Sequence, residues 1–251
     1  MMNILLTNDD GIYAEGIYAA YRELKKIGKV TVVAPDMERS SVGHGITLSH
    51  PIWQKRVNRK GQSFGVGISG TPADCIKFAI SILLKKKPDI VVSGINLGPN
   101  DGCSVFYSGT VAGAREGALL GIPSLAISLA AFLNPDFRYA AKCSAKLVKH
   151  IIKNGLPRGT FLNVNVPCVS LSKMKGMVVT RQGTVPIHGV FRKRIDPHLR
   201  EYYWMTGKAP RLKATKEVDT YALRRHYVTV TPIQSDLTDY HFFQKLKMWR
   251  L

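Results

Sequence analysis

Asn3-Ile-Leu-Leu-Thr-Asn-Asp-Asp-Gly11 joins a short apolar run to an abrupt polar stop. Ile4, Leu5 and Leu6 have the composition of a buried strand, and Asn8, Asp9, Asp10 and Gly11 end it. Ile17, Ala20, Tyr21, Leu24 and Ile27 then recur at helical spacing, so the unit reads strand, tight loop, helix. In an open parallel sheet, the loop at a strand's carboxyl end borders the usual ligand crevice. Two adjacent carboxylates there repel each other, and desolvating both is costly unless a cation sits between them. A hard divalent ion with oxygen ligands satisfies both. Asn-Asp-Asp-Gly is also ordinary turn chemistry, so the motif by itself leaves both readings open.

The chain of 251 residues accommodates one large α/β domain, or a domain with an appendage. Its hydrophobic content of 45% is that of a soluble globular protein. No apolar run approaches the roughly 18 residues a membrane-spanning helix requires, and no signal peptide is expected. Cys75, Cys103, Cys143 and Cys168 are scattered without a CxxC pair, which argues against a zinc or redox motif and for a reducing cytoplasm. Charge is uneven. Residues 1–137 carry 14 basic and 11 acidic side chains, whereas 138–251 carry 22 and 6, so most of the net +19 lies in the second half. Such a half attracts anions: phosphorylated metabolites, polyphosphate, nucleic acid or an acidic surface.

After the first helix, Lys29 to Pro35 is a second strand, and residues 36–50 form a long polar loop containing Arg39, Ser40, Ser41 and His44. Arg39 offers a fork matched to phosphate and His44 an acid or base, although each alone is more often a structural residue. Residues 52–70 read as two short strands around Asn58-Arg-Lys-Gly61. The Gly65, Gly67, Gly70 spacing imitates a dinucleotide fingerprint but does not follow the first strand of the unit. Thr71 and Pro72 behind it read as the cap and first residue of a helix. Residues 88–96 are a further apolar strand, ending in a glycine-rich and asparagine-rich loop. Tyr107-Ser-Gly-Thr110 then opens a small-residue helix, where free N–H groups and hydroxyls make an anion cradle or a simple N-cap. A strand at 125–128 and an amphipathic helix at 137–152 continue the alternation, which predicts a doubly wound parallel sheet. Beyond Leu162 come two period-two runs. A basic stretch from Gln182 to Lys216 follows, with Tyr202, Tyr203 and Trp204, then a strand at 227–233 and a terminal helix at 239–250.

Three strand ends thus carry one theme along one sheet edge. Two carboxylates, an amide oxygen and a hydroxyl make an oxygen-only shell for Mg²⁺, Mn²⁺ or Ca²⁺. With an anion cradle beside it, this points to metal-assisted phosphoryl transfer or hydrolysis. No Walker A or kinase motif is present, so transfer from ATP is disfavoured.

Asn8-Asp-Asp-Gly11, Pro35-Asp-Met-Glu-Arg-Ser40 with Gly43-His-Gly-Ile-Thr47, Gly70-Thr-Pro-Ala-Asp-Cys75, Ser93-Gly-Ile-Asn-Leu-Gly-Pro-Asn100 and Tyr107-Ser-Gly-Thr110 resemble the SurE family of metal-dependent nucleotidases. The likeness continues through Leu162-Asn-Val-Asn-Val-Pro167, Tyr202-Tyr-Trp204 and Tyr227-Val-Thr-Val-Thr-Pro232, and so covers nearly the whole chain. The resemblance implies one Rossmann-like α/β domain over residues 1–251, doubly wound around a mostly parallel sheet. Its core would be about 1–180 plus 227–235. A β-rich C-terminal extension of about 182–226 and the helix at 239–250 would exchange between subunits, giving a homodimer or homotetramer. The resemblance further implies one divalent ion per subunit, Mg²⁺ or Mn²⁺, held by Asp9, Asp10, Ser40 and Asn96, with Asn100, Ser108, Gly109 and Thr110 facing the phosphate. Asp9 and Asp10 would be catalytic, Asp9 orienting or deprotonating the attacking water. The reaction would be hydrolysis of nucleoside 5′- or 3′-monophosphates, with short polyphosphate as a side substrate. The competing class is a polyanion-binding or nucleic-acid-binding protein that uses the basic half.

Overall fold

Ile4, Leu5 and Leu6 are all buried, because the strand they form, β1 (Asn3–Thr7), lies inside a nine-stranded sheet covered on both faces. The computed structural model describes residues 1–186, 189–207 and 215–249. In chain order β1 is followed by α1 (Glu15–Leu24), β2 (Lys29–Pro35), β3 (Gln54–Arg59), β4 (Gln62–Ile68), α2 (Pro72–Phe78) and β5 (Ile90–Leu97). Next come α3 (Gly109–Leu119), β6 (Ser124–Ala130), α4 (Arg138–Asn154), β7 (Thr160–Pro167) and β8 (Met177–Val179). The last elements are β9 (Gly189–Ile195), β10 (Glu201–Gly207), α5 (Asp219–Arg224), β11 (Val228–Gln234) and α6 (Tyr240–Leu246). The expected terminal helix is therefore shorter than 239–250; Asp239 caps it, accepting from the Phe242 N–H at 2.9 Å. Arg250, and positions 187–188 and 208–214 of the expected extension, lie outside the described residues.

The sheet order is β3-β4-β2-β1-β5-β6-β7-β11-β8. β4, β2, β1, β5, β6 and β7 run parallel, while β3 and β11 pair antiparallel to β4 and β7. The chain winds outward from β1 to β2 and then returns to place β5 on the other side of β1. That reversal is the switch point at which ligand crevices open. Side chains alternate across β1: Ile4 and Leu6 join Ile17, Leu24, Val148 and Ile151 of α1 and α4, whereas Leu5 packs with Cys75 and Ile76 of α2. α3 covers the rest of that second face with Val111, Ala114 and Ala118. It sits unusually close, since a Cβ on Gly113 would fall 2.7 Å from Ser93 Oγ and one on Gly117 only 2.3 Å from Ser124 Oγ. The small residues expected in this helix are the condition for that approach.

β7 departs from its expected character. Its sequence alternates with period two, yet Asn163 and Asn165 are fully buried and the strand runs parallel beside β6. Within the stretch 182–226, β9 and β10 form a separate antiparallel ribbon. The helix α5, near the end of that stretch, packs instead against β7 and β11, burying Val218, Ala222 and Leu223.

Candidate active site

The tight loop after β1 is a closed turn. Asn8 is buried and its Nδ2 donates to the Gly11 carbonyl at 2.9 Å. This turn delivers Asp9 and Asp10 to the carboxyl edge, where two other loops fasten to them. The Arg39 N–H donates to the Asp9 carbonyl at 2.7 Å, which brings the loop after β2, with Ser40, against the turn. The Leu97 N–H donates to Asp10 Oδ2 at 3.0 Å, which anchors the end of β5. The pairing register of β5 with β6 slips between Gly94 and Asn96, leaving Ile95 unpaired and re-aiming the strand end. Asn96 is then fixed by its Nδ2, which donates to the Gly98 carbonyl at 2.8 Å and leaves Oδ1 for another partner.

The start of α3 faces the same place. Ser108 is its N-cap, with Oγ accepting from the Val111 N–H at 3.0 Å. Gly109 lies directly on Asp9, where an added Cβ would come within 2.8 Å of the Asp9 Cβ and 2.9 Å of its Oδ2. Thr110 is fully buried and its hydroxyl donates to Asp9 Oδ1. Thr110 therefore grips the carboxylate with both its side chain and its main chain.

Asp9, Ser40, Asn96, Asn100 and Ser108 line one cavity of about 630 Å³, and Asp10 lies beside it behind the Leu97 contact. Leu97, Pro99, Tyr107, Phe132 and Met205 form its apolar side. Burial pushes the Asp9 carboxyl above its ordinary range, against the opposing pull of the Thr110 hydrogen bonds. Burial, and then the neighbouring Asp9, push Asp10 up to about 7. Among the described residues neither carboxylate is in an ion pair. Two neighbouring acids have thus been withdrawn from water without a protein cation to balance them.

Asn100 is held by residues that sequence reasoning missed. Its N–H donates to Asn165 Oδ1 at 2.7 Å, and its carbonyl accepts from Asn163 Nδ2 at 2.7 Å and Asn165 Nδ2 at 3.2 Å. Its own Nδ2 donates to Ser128 Oγ at 2.9 Å. The only signal for this clamp was the polar alternation in β7, which is indistinguishable in sequence from a solvated face.

Arg39 and His44 lie elsewhere. Arg39 Nη2 donates to the Ser69 carbonyl at 2.9 Å, bracing the loop after β2 against the turn before α2, and the side chain does not line the cavity. His44 Nε2 lies 2.8 Å from Glu116 Oε2, and Lys77 Nζ lies 2.7 Å from Glu116 Oε1. His44 thus docks its loop onto α3 and does not line the cavity. Gly65 and Gly67 are interior to β4, and Gly70 packs on the Asp74 side chain, so the glycine spacing there forms no phosphate loop.

The family model described as "Survival protein SurE" matches residues 4–188. A "5'-nucleotidase SurE" of Carboxydothermus hydrogenoformans is 47% identical across 99% of this chain and 96% of its own length. Another protein of that description, from Syntrophobacter fumaroxidans, is 46% identical over the whole of both chains. The crystal structure of the SurE protein from Aquifex aeolicus superposes with a TM-score of 0.85 at 41% identity, covering 98% of each chain. With a family model over residues 4–188 and relatives 46–47% identical over essentially the whole chain, this chain belongs to the SurE family.

Proposed function

We propose that this chain is a metal-dependent phosphomonoesterase that hydrolyses nucleoside 5′-monophosphates to nucleoside and phosphate. One observation carries the reading: two adjacent, desolvated carboxylates, without a cationic partner among the described residues, lie at one cavity beside the N-terminus of α3. The names of the two bacterial relatives supply the substrate class. Nucleoside 3′-monophosphates and short polyphosphate are further substrates under this reading, because the polar floor engages the phosphoryl group they share.

The donor set fits a hard divalent cation. It is made entirely of oxygens, from two carboxylates, a hydroxyl and an amide, and its carboxyls are raised in the manner of acids lacking a counter-charge. Asp9, Asp10, Ser40 and Asn96 would hold one Mg²⁺ or Mn²⁺ per subunit, and the bound ion supplies Lewis-acid polarisation of a phosphoryl oxygen. The chain's own groups do the rest. The Ser108 hydroxyl and the N-terminus of α3 receive the phosphoryl oxygens. Asn100, whose Nδ2 has a second hydrogen beyond the one given to Ser128, adds another donor. Thr110 fixes Asp9 through Oδ1, and the carboxylate so held orients the attacking water and takes its proton. The four cysteines are free thiols, which supports a reducing cytoplasmic setting. Among the described residues no helix is long and apolar enough to cross a membrane.

The test is phosphate release from a panel of nucleoside 5′- and 3′-monophosphates, with Mn²⁺, Mg²⁺ or EDTA, for wild type and Asp10→Asn. Turnover should require the metal and fall at least about 100-fold in the variant. Saturating metal should also raise Tm by about 5–10 °C in wild type, with little shift in the variant. Turnover indifferent to both EDTA and the substitution would sink the site assignment. Steeply salt-dependent RNA binding without turnover would move the function to the basic half.

A further inference from the structure

The polar floor accounts for a phosphate and leaves most of the cavity unassigned. A volume of about 630 Å³ is that of a small-molecule site, and the side away from the floor is apolar. Its most exposed aromatic is Phe132, at 77%, from the loop that follows β6. A single exposed phenylalanine is unremarkable, but this one is registered to the reaction centre. Its ring lies against Gly98, where an added Cβ would stand 3.3 Å from Phe132 Cε1. Gly98 adopts φ +112°, a conformation that favours glycine. Its N–H donates to the Leu129 carbonyl at 2.9 Å, and its carbonyl accepts from Asn96 Nδ2 at 2.8 Å. The aromatic face and the metal-site amide are therefore tied to one residue.

We infer that Phe132 is the platform on which the nucleobase of the substrate stacks, so that this loop sets the preference for nucleotides over other phosphomonoesters. The inference rests on the phosphomonoesterase reading above. Every base has a π-face, and stacking on an aromatic side chain holds it without a hydrogen-bond code. Stacking also favours the larger purine ring system, so purine nucleotides should be preferred over pyrimidine nucleotides.

The test compares kcat/KM for AMP and for ribose 5-phosphate, which carries the same phosphoester without a base. Wild type should favour AMP. In Phe132→Ala the ratio of the two should fall about tenfold, through a higher KM for AMP, while Phe132→Trp should keep the wild-type ratio within about twofold. Because the side chain is exposed, the Tm of each variant should match wild type. An unchanged ratio in Phe132→Ala, or a wild type that treats both substrates alike, overturns base stacking and leaves the phosphatase reading standing. Absence of turnover of either substrate by wild type with metal present defeats the phosphatase reading, and base stacking with it.

Discussion

Asp9 is held by a single side-chain donor, the buried hydroxyl of Thr110. A carboxylate in that position is oriented by its donors, and removing the hydroxyl leaves it only main-chain hydrogen bonds in a site already short of positive charge. Thr110→Val preserves the shape and deletes the donor. A hydrogen bond to a charged group contributes about 1.5–3 kcal/mol, so metal-free Thr110→Val should melt about 4–8 °C below wild type. Its kcat should fall by tenfold or more; unchanged kcat and Tm would show that Asp9 is positioned by other means. At this scale the sequence was legible where chemistry and position coincide, as at Asp9, Asp10 and the Ser108 cap. It was opaque where a residue acts through a distant partner. Asn163 and Asn165 reach Asn100 across more than sixty positions, and their alternation along β7 looks the same whether the side chains meet water or a buried loop.

The loop after β2 has no regular structure, so its order depends on where it is fastened to helices. Thr47 holds Asp74 through its N–H at 3.1 Å and its hydroxyl at 2.6 Å, Arg39 holds Ser69, and His44 reaches Glu116 on α3. Glu116 is only 3% exposed. Burial alone would raise its carboxyl, but the hydrogen bonds from His44 and Lys77 outweigh that and hold it below its ordinary value of 4.5. A depressed carboxyl stabilises the fold above its unfolded pKa, and that contribution is lost as pH falls through the folded value. Glu116→Gln should therefore be destabilised relative to wild type at pH 7, by about 2 kcal/mol. The gap should narrow as pH drops below about 4.5, as measured by urea unfolding of both proteins across pH 3–7. A gap that stays constant with pH would show that the ion pairs do not anchor this loop. The helices and parallel strands were legible because burial on one stripe or on both faces leaves a period in the sequence. β9 and β10 were not, since the side chains described in both strands are exposed and no face imposes a pattern.

An isolated two-stranded ribbon is at best marginally stable in water, and this one turns its apolar residues outward. Phe191, Tyr203 and Met205 lie on one face and Val190 and Trp204 on the other, each more than half exposed, and large apolar side chains left exposed in this way mark an interaction site. The ribbon also bears on the active site, because Gly189 and Met205 line the cavity. A second copy of the chain, covering the ribbon, would satisfy both conditions, in line with the homodimer or homotetramer that the resemblance implies for the C-terminal extension. The basic side chains there do not preclude close approach of a like subunit, since Lys193 already pairs with Glu201 and Arg200 with Asp196 at 2.8 Å. Light scattering coupled to gel filtration should therefore give wild type a mass of two or four times 27.8 kDa. The double variant Phe191→Ser, Trp204→Ser should shift toward the single-chain mass, while the far-UV spectrum of the core stays the same. Dissociation should also raise KM for nucleotides several-fold, because a partner packed on the ribbon would hold Met205 at the cavity. A wild type that runs at 27.8 kDa at micromolar concentration would refute the exchange of this extension and require the ribbon's apolar residues to be covered by something other than a second copy.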